Sequence, residues 1–163
     1  MSIGVDIQVA DAGGDVPSDD RFEAWLSAVL AGRRESAELS VRIVDEAESA
    51  GLNERYRGKQ GATNVLAFPA DLPEGIDVPF LGDLVICRAV VERESAAQGK
   101  ALEAHWAHMV VHGSLHLLGY DHGTDEEAAS MEALEVQILG RLGYADPYDT
   151  GDCGGQAAQP AVR

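Results

Sequence analysis

Residues 112–122 read H-G-S-L-H-L-L-G-Y-D-H, and the rest of the chain has to be arranged around them. Three of the protein's five histidines fall in this stretch. His112 and His116 are four apart inside an apolar run. On an α-helix such positions lie about 40° apart around the axis and roughly 6 Å apart along it, so two imidazoles can converge on one ion. Gly119 lets the chain turn sharply, and His122 can then swing back to supply a third nitrogen. Three protein ligands with a fourth position open is the layout of a catalytic zinc site rather than a closed structural one. The stretch therefore predicts a helix end that carries a metal.

The same spacing, H-x3-H-x2-G-x2-H, occurs in metzincin proteases, where a Glu directly after the first His acts as general base. Here that position is Gly113, which cannot take a proton. Peptide hydrolysis by that route loses its base. His108 is also four residues from His112, but it has no third ligand on its own side of the helix. It is read as packing or as a group that orients a ligand. His105 is expected to be exposed or to cap a local network. Asp121 is placed either to orient a ligand imidazole or to cap the turn, and both readings stay open.

Upstream and downstream, the pattern alternates strands with helices. Ile3, Val5, Ile7 and Val9 share one face of a strand over 3–9. Ser18 caps a helix with Asp19 and Asp20 in its first turn, Phe22, Trp25, Leu26, Val29 and Leu30 on its apolar face, and Gly32 past its end. A strand follows over 39–44, then a short helix capped by Asp45 and reaching about Tyr56. The basic loop 57–64 leads into a short strand stopped by Pro69. Residues 69–80, with three prolines, form an irregular loop, and 82–87 a fourth strand. Helices are expected over 88–99, over 101–118 and after the capping box of Thr124 and Glu127. The helix over 101–118 is apolar on nearly all sides, which makes it central and buried. From Asp146 onward the composition is Gly-, Ala- and Pro-rich without a period, so 146–163 is expected to be a disordered tail behind a single domain spanning 1–145.

At 163 residues, 45% apolar and 25% charged, the chain has the size and composition of one soluble domain with a full core. It has no apolar run long enough for a bilayer, so no membrane partner is expected. Its start lacks the features of a secretory signal, which points to the cytoplasm. Cys87 and Cys153 are not at metal-ligand spacing. A net charge of −16 excludes a broad basic surface for nucleic acid, but leaves room for a local groove around Arg55, Arg57 and Lys59.

The stretch 112–122 closely resembles the H-G-x-L-H-L-x-G-Y-D-H signature of the YbeY endoribonucleases, or rRNA maturation factors. Two further blocks agree. R-G-K-Q-G-A-T-N-V-L-A-F-P (57–69) is similar to the family's arginine followed by T-N-V-L-S-F-P, with Ala67 where Ser is usual. L-G-D-L-V-I (81–86) is similar to L-G-D-I-x-I, and the pair Met131-Glu132 falls where the family has one. The resemblance spans roughly residues 3–145. It implies an α/β (α+β) fold: a small mixed four-stranded sheet flanked by helices, with the signature helix central, buried and bearing the metal site. It implies one divalent metal, zinc foremost, on His112, His116 and His122. It implies cleavage of single-stranded RNA in maturation of the 3′ end of 16S rRNA and in ribosome quality control. The family's important arginine maps onto Arg57.

Chemically, a metal can activate water or polarise a phosphate oxygen. An arginine can hold the phosphate through two parallel hydrogen bonds. Arg57 is the candidate for that role, and Arg55 and Lys59 are candidates to extend it along an RNA backbone. The expected partners are single-stranded rRNA and the small ribosomal subunit or its proteins, to which an acidic chain could dock. Two rivals share the metal site: a metallohydrolase of another substrate, and a non-catalytic ribosome-assembly factor with a structural metal. No general base stands out in the sequence.

Overall fold

The computed structural model describes residues 2–10, 14, 16–33, 35–70, 79–121 and 123–148. The elements run β1 (Ser2–Val9), α1 (Asp19–Leu30), β2 (Ser36–Val44), α2 (Glu46–Arg57), β3 (Val65–Pro69), β4 (Phe80–Cys87), α3 (Arg88–Gln98), α4 (Leu102–Leu117) and α5 (Asp125–Arg141). The four strands form one sheet in the order β1-β2-β4-β3. β1, β2 and β4 are parallel, and β3 is antiparallel to β4 at the edge. The expected single α/β domain with a small mixed sheet is what forms.

Alternation sorts the strands' side chains onto two faces. Ile3, Val5, Ile7, Leu39, Val41, Ile43, Leu84, Ile86 and Val65 face the main core, against Phe22, Trp25 and Leu26 of α1 and Trp106, Met109 and Val110 of α4. Leu66, Val85 and Cys87 face a smaller cluster completed by Leu52 of α2. α4 is the hub: it packs on β3, β4, α1, α3 and α5, and every residue from His105 to Leu115 is buried.

Two glycines set how closely elements approach. A Cβ on Gly113 would lie 2.7 Å from Leu84 Cδ2 and 3.2 Å from Val65 Cγ2, so α4 sits on the sheet at a distance only glycine permits. Position 113 thus points into the sheet, and no side chain there could serve a site at the helix end. Gly82, at φ +140°, lies beside the register shift between β2 and β4. A Cβ there would collide with the Phe68 carbonyl oxygen at 2.2 Å, so the close approach of β3 requires this glycine.

Two strands start earlier than the sequence suggests. β2 begins at Ser36 and not Leu39, because small, buried Ala37 continues the inward alternation that the eye takes up only at Leu39. β4 begins at Phe80 and not Gly82, with Phe80 pairing Glu38 before the irregularity. Most of the expected loop 69–80 lies outside the described residues.

The end of the chain departs from expectation within its described part. After α5 the backbone turns at Gly143 and Tyr144 lays its hydroxyl against Trp25 Nε1 at 3.2 Å. Lys100 Nζ donates to the Pro147 carbonyl at 2.7 Å. Residues 143–148 thus run back over the N-terminal half of α4, and Asp146–Tyr148 are placed against the domain and not in a loose tail. The rest of the expected tail, 149–163, lies outside the described residues.

Candidate functional site

α4 presents His105, His108, His112 and His116 along one stripe, at the helical spacing that stacks side chains turn over turn. What lies opposite each one differs. His105 Nε2 meets Glu94 Oε1 of α3 at 2.8 Å, and Asn64 Nδ2 donates to the same carboxylate at 3.0 Å. His105 is fully buried. That corrects the expectation of exposure and leaves the local network. His108 Nε2 meets Glu135 Oε1 of α5 at 2.9 Å, and Tyr148 donates its hydroxyl to that same oxygen. His112 Nδ1 meets the other oxygen, Glu135 Oε2, at 2.6 Å.

Glu135 is thereby the centre of a buried cluster. Burial opposes its ionisation, but the hydrogen bonds and charge of His108 and His112 outweigh burial and hold its carboxyl down at about 2. Burial in turn pushes the His108 imidazole down from its usual value. Burial and then the Glu135 charge push the Tyr148 phenol up, which keeps its proton on. A carboxylate can only accept, so His112 must donate from Nδ1. The other nitrogen, His112 Nε2, faces His116 Nε2, 3.1 Å away.

This geometry suits a metal. Two nitrogens each 2.0–2.1 Å from a tetrahedral ion lie about 3.3 Å apart. A buried carboxylate holding the far nitrogen of one imidazole is the support that ligating histidines commonly have. Among the described residues no set of three His, Cys, Asp or Glu side chains is gathered for a metal, and His122, the expected third ligand, lies outside them.

The helix ends as the glycine requires. Gly119 takes φ +104°, Tyr120 N reaches back to the Leu115 carbonyl at 3.0 Å, and the chain leaves α4 beside His116. There a cleft of about 510 Å³ opens, lined by Tyr56, Arg57, residues 66–69 of β3, His116, Gly119, Tyr120 and Asp121. Its size is within the roughly 300–1,000 Å³ of ordinary ligand sites. Arg57 ends α2, where a cation complements the helix dipole, and Gly58 at φ +68° bends the chain away behind it. The structure thus brings Arg57, His116 and Asp121 into one cleft. It does not bring Arg55 or Lys59 there: both are exposed, and the Arg55 guanidinium stands 5.9 Å from the Tyr56 ring centre. His108 lies behind the site, joined to His112 through Glu135 and by an edge-on ring contact 6.5 Å between centres.

Glu135 and Tyr148 escaped the sequence reading. For Glu135 a signal existed: it falls in the apolar stripe of α5 with Met131 and Ile138, and an acid at a core position needs a buried partner. Tyr148 stands in a stretch whose composition gave none.

The architecture is that of a known class of small α/β protein. The solution structure of TM1509 from Thermotoga maritima matches with a TM-score of 0.54 and 23% identity, over 93% of this chain and 99% of that one, a likeness that speaks for the fold. The chain belongs to the endoribonuclease YbeY family, whose model matches residues 8–143. That places it among endoribonucleases of rRNA maturation. Tyr148 lies beyond the matched residues.

Proposed function

We propose that the protein is a metal-dependent endoribonuclease that cuts single-stranded RNA during maturation of the 16S rRNA 3′ end. The observation that carries this reading is one cleft shared by Arg57 and His116, with His112 Nε2 converging on His116 Nε2 at 3.1 Å. His112 and His116, with His122 as the third imidazole, would hold one divalent ion, zinc foremost. Such an ion supplies Lewis acidity towards a phosphoryl oxygen.

The chain's own residues do the rest. Glu135 fixes the tautomer and direction of His112. Arg57 binds the phosphate through its fork of donors and stabilises the charge that grows on it in the transition state. Asp121, on the cleft wall, orients a ligand imidazole or caps the turn after α4. Docking on the small ribosomal subunit or its proteins in the cytoplasm accords with the acidic chain. Among the described residues no helix is long and apolar enough to cross a membrane.

The test compares Arg57→Ala with His116→Ala for bound metal and for cleavage of single-stranded RNA. The expected result is a metal-loaded Arg57→Ala protein whose cleavage is down by about 10²–10³, the usual cost of losing one charge-stabilising donor. Full cleavage by that variant would remove Arg57 from the reaction. Wild-type protein that binds metal and small-subunit particles but cuts no RNA would support the assembly-factor reading instead.

A further inference from the structure

Tyr120 closes the end of α4 with its backbone N–H, which donates to the Leu115 carbonyl at 3.0 Å, while its side chain reaches solvent. It is 40% exposed, one of four exposed large apolar side chains among the described residues, and Tyr56 at 58% is another. Both line the cleft of Arg57 and His116. Tyr120 and Gly119 also line a second cleft of about 390 Å³, whose other walls are Leu118 and Arg33. Tyr120 therefore stands, with Gly119, on the wall shared by two hollows, each lined by an arginine. In a chain of net charge −16, the described lining of the two clefts contains a single acid, Asp121. An anionic polymer is repelled by most of this surface and tolerated along that line. Arg33 is anchored at the cleft wall by Nη1, which donates to the Val29 carbonyl at 3.0 Å at the end of α1.

We propose that Tyr120 is a base-stacking platform over which single-stranded RNA passes from one cleft to the other, its backbone held by Arg57 on one side and by Arg33 on the other. Tyr56, braced edge-on by Phe68 at 5.2 Å between ring centres, offers a second aromatic surface on the cleft wall. Stacking on an aromatic ring needs an unpaired base, because a base in a duplex already has both faces covered by its neighbours. The platform thus selects unpaired substrate beside the reacting centre and tolerates any sequence. This inference rests on the reading of the protein as an RNA endonuclease, and it names the residues that make it choose single strands.

The experiment uses metal-loaded full-length protein and short single-stranded RNAs in which an abasic residue is walked across the cleavage position. Metal content and melting temperature are measured for every variant. Tyr120→Ala is expected to weaken binding roughly 5- to 150-fold, the range for loss of one base–aromatic stack, while Tyr120→Phe keeps it. At one position the abasic residue weakens wild type by a similar factor and costs Tyr120→Ala nothing further, because both remove the same contact. Arg33→Ala lowers the slope of log affinity against log salt by about one. Losses that add at every abasic position, or a Tyr120→Phe as weak as Tyr120→Ala, would overturn the stacking role and leave RNA cleavage standing. Absence of any RNA binding by wild type would overturn the nuclease reading, and this inference with it.

Discussion

The two halves of α4 each hold a pair of histidines on the same stripe and use them in opposite ways. In the first half, His105 and His108 are sealed, each with a carboxylate from a neighbouring helix across from it. In the second half, His112 keeps one nitrogen on Glu135 and turns the other towards His116, which lies open to the cleft. The sequence H-x2-H-x3-H-x3-H does not distinguish them. The difference comes from what packs alongside: α3 and α5 cover the start of the helix, whereas Gly119 ends it at an edge of the domain. The partner opposite each imidazole, and not its place along the helix, separates the two halves.

The sharpest way to break this contrast is to truncate one histidine from each half. His116→Ala should remove metal from the purified protein and take RNA cleavage to background, with the melting temperature of the metal-free form nearly unchanged. His105→Ala should do the reverse. Metal and cleavage stay, while stability to denaturant falls by about 1–3 kcal/mol because half-buried Glu94 loses one of its partners and the fully buried imidazole leaves a gap. Loss of metal from the His105 variant would mean that the two halves are not separate.

Next in size is the group that joins them. Glu135 touches His108 with one oxygen and His112 with the other. Glu135→Gln keeps the shape but turns one acceptor into a donor, so one imidazole must flip its tautomer. The expected result is metal affinity down by about 10–100-fold, the usual cost of losing a carboxylate behind a ligating histidine. Chelator competition reads it directly, without an activity assay. Affinity equal to wild type would make Glu135 a stabilising brace and nothing more.

How far these roles were legible follows from the same contrast. Periodicity exposed α4 as a buried hub, and the 112–122 spacing exposed the paired imidazoles, since both are local patterns. Gly113 was legible as an absent base, but its contact with Leu84 and Val65 was not, because no local pattern says which strand a helix will press against. Arg57 was found by resemblance and lies in the cleft. Arg55 and Lys59 were proposed by proximity in sequence, yet Arg55 stands by the Tyr56 ring, Lys59 follows the bend at Gly58, and neither lines the cleft. Glu135 and Tyr148 lie 23 and 36 residues beyond His112, and only the packing of α5 and the return of the chain after Gly143 bring them in.

Gly113→Ala tests the contact that fixes the height of α4 above the sheet. Alanine is a better helix former than glycine by about 1 kcal/mol. Against that, its methyl would overlap Leu84 and Val65 in a packed core, where overpacking costs typically about 1–3 kcal/mol. The net expectation is a loss of up to about 2 kcal/mol, read from the denaturant midpoint. A stabilised variant would show that the helix can lift without penalty, and the spacing of His112 from the sheet would then be soft.

The smallest expected effect concerns the chain end. Tyr148→Phe removes the hydroxyl that donates to Glu135 but keeps the ring packed at 5.3 Å from His108. Glu135 Oε1 retains His108 as a donor, so the carboxylate stays ionised and His112 stays oriented. The cost is then one hydrogen bond to a charged group with its acceptor still partly satisfied, about 1–2 kcal/mol of stability. Metal affinity should fall only a few-fold, less than for Glu135→Gln, because the imidazole's own partner is untouched. A drop as large as that of Glu135→Gln would mean that the returning segment, and not α5 alone, sets the direction of His112. The sealed half of α4 would then govern the open half through a residue outside the span matched by the family.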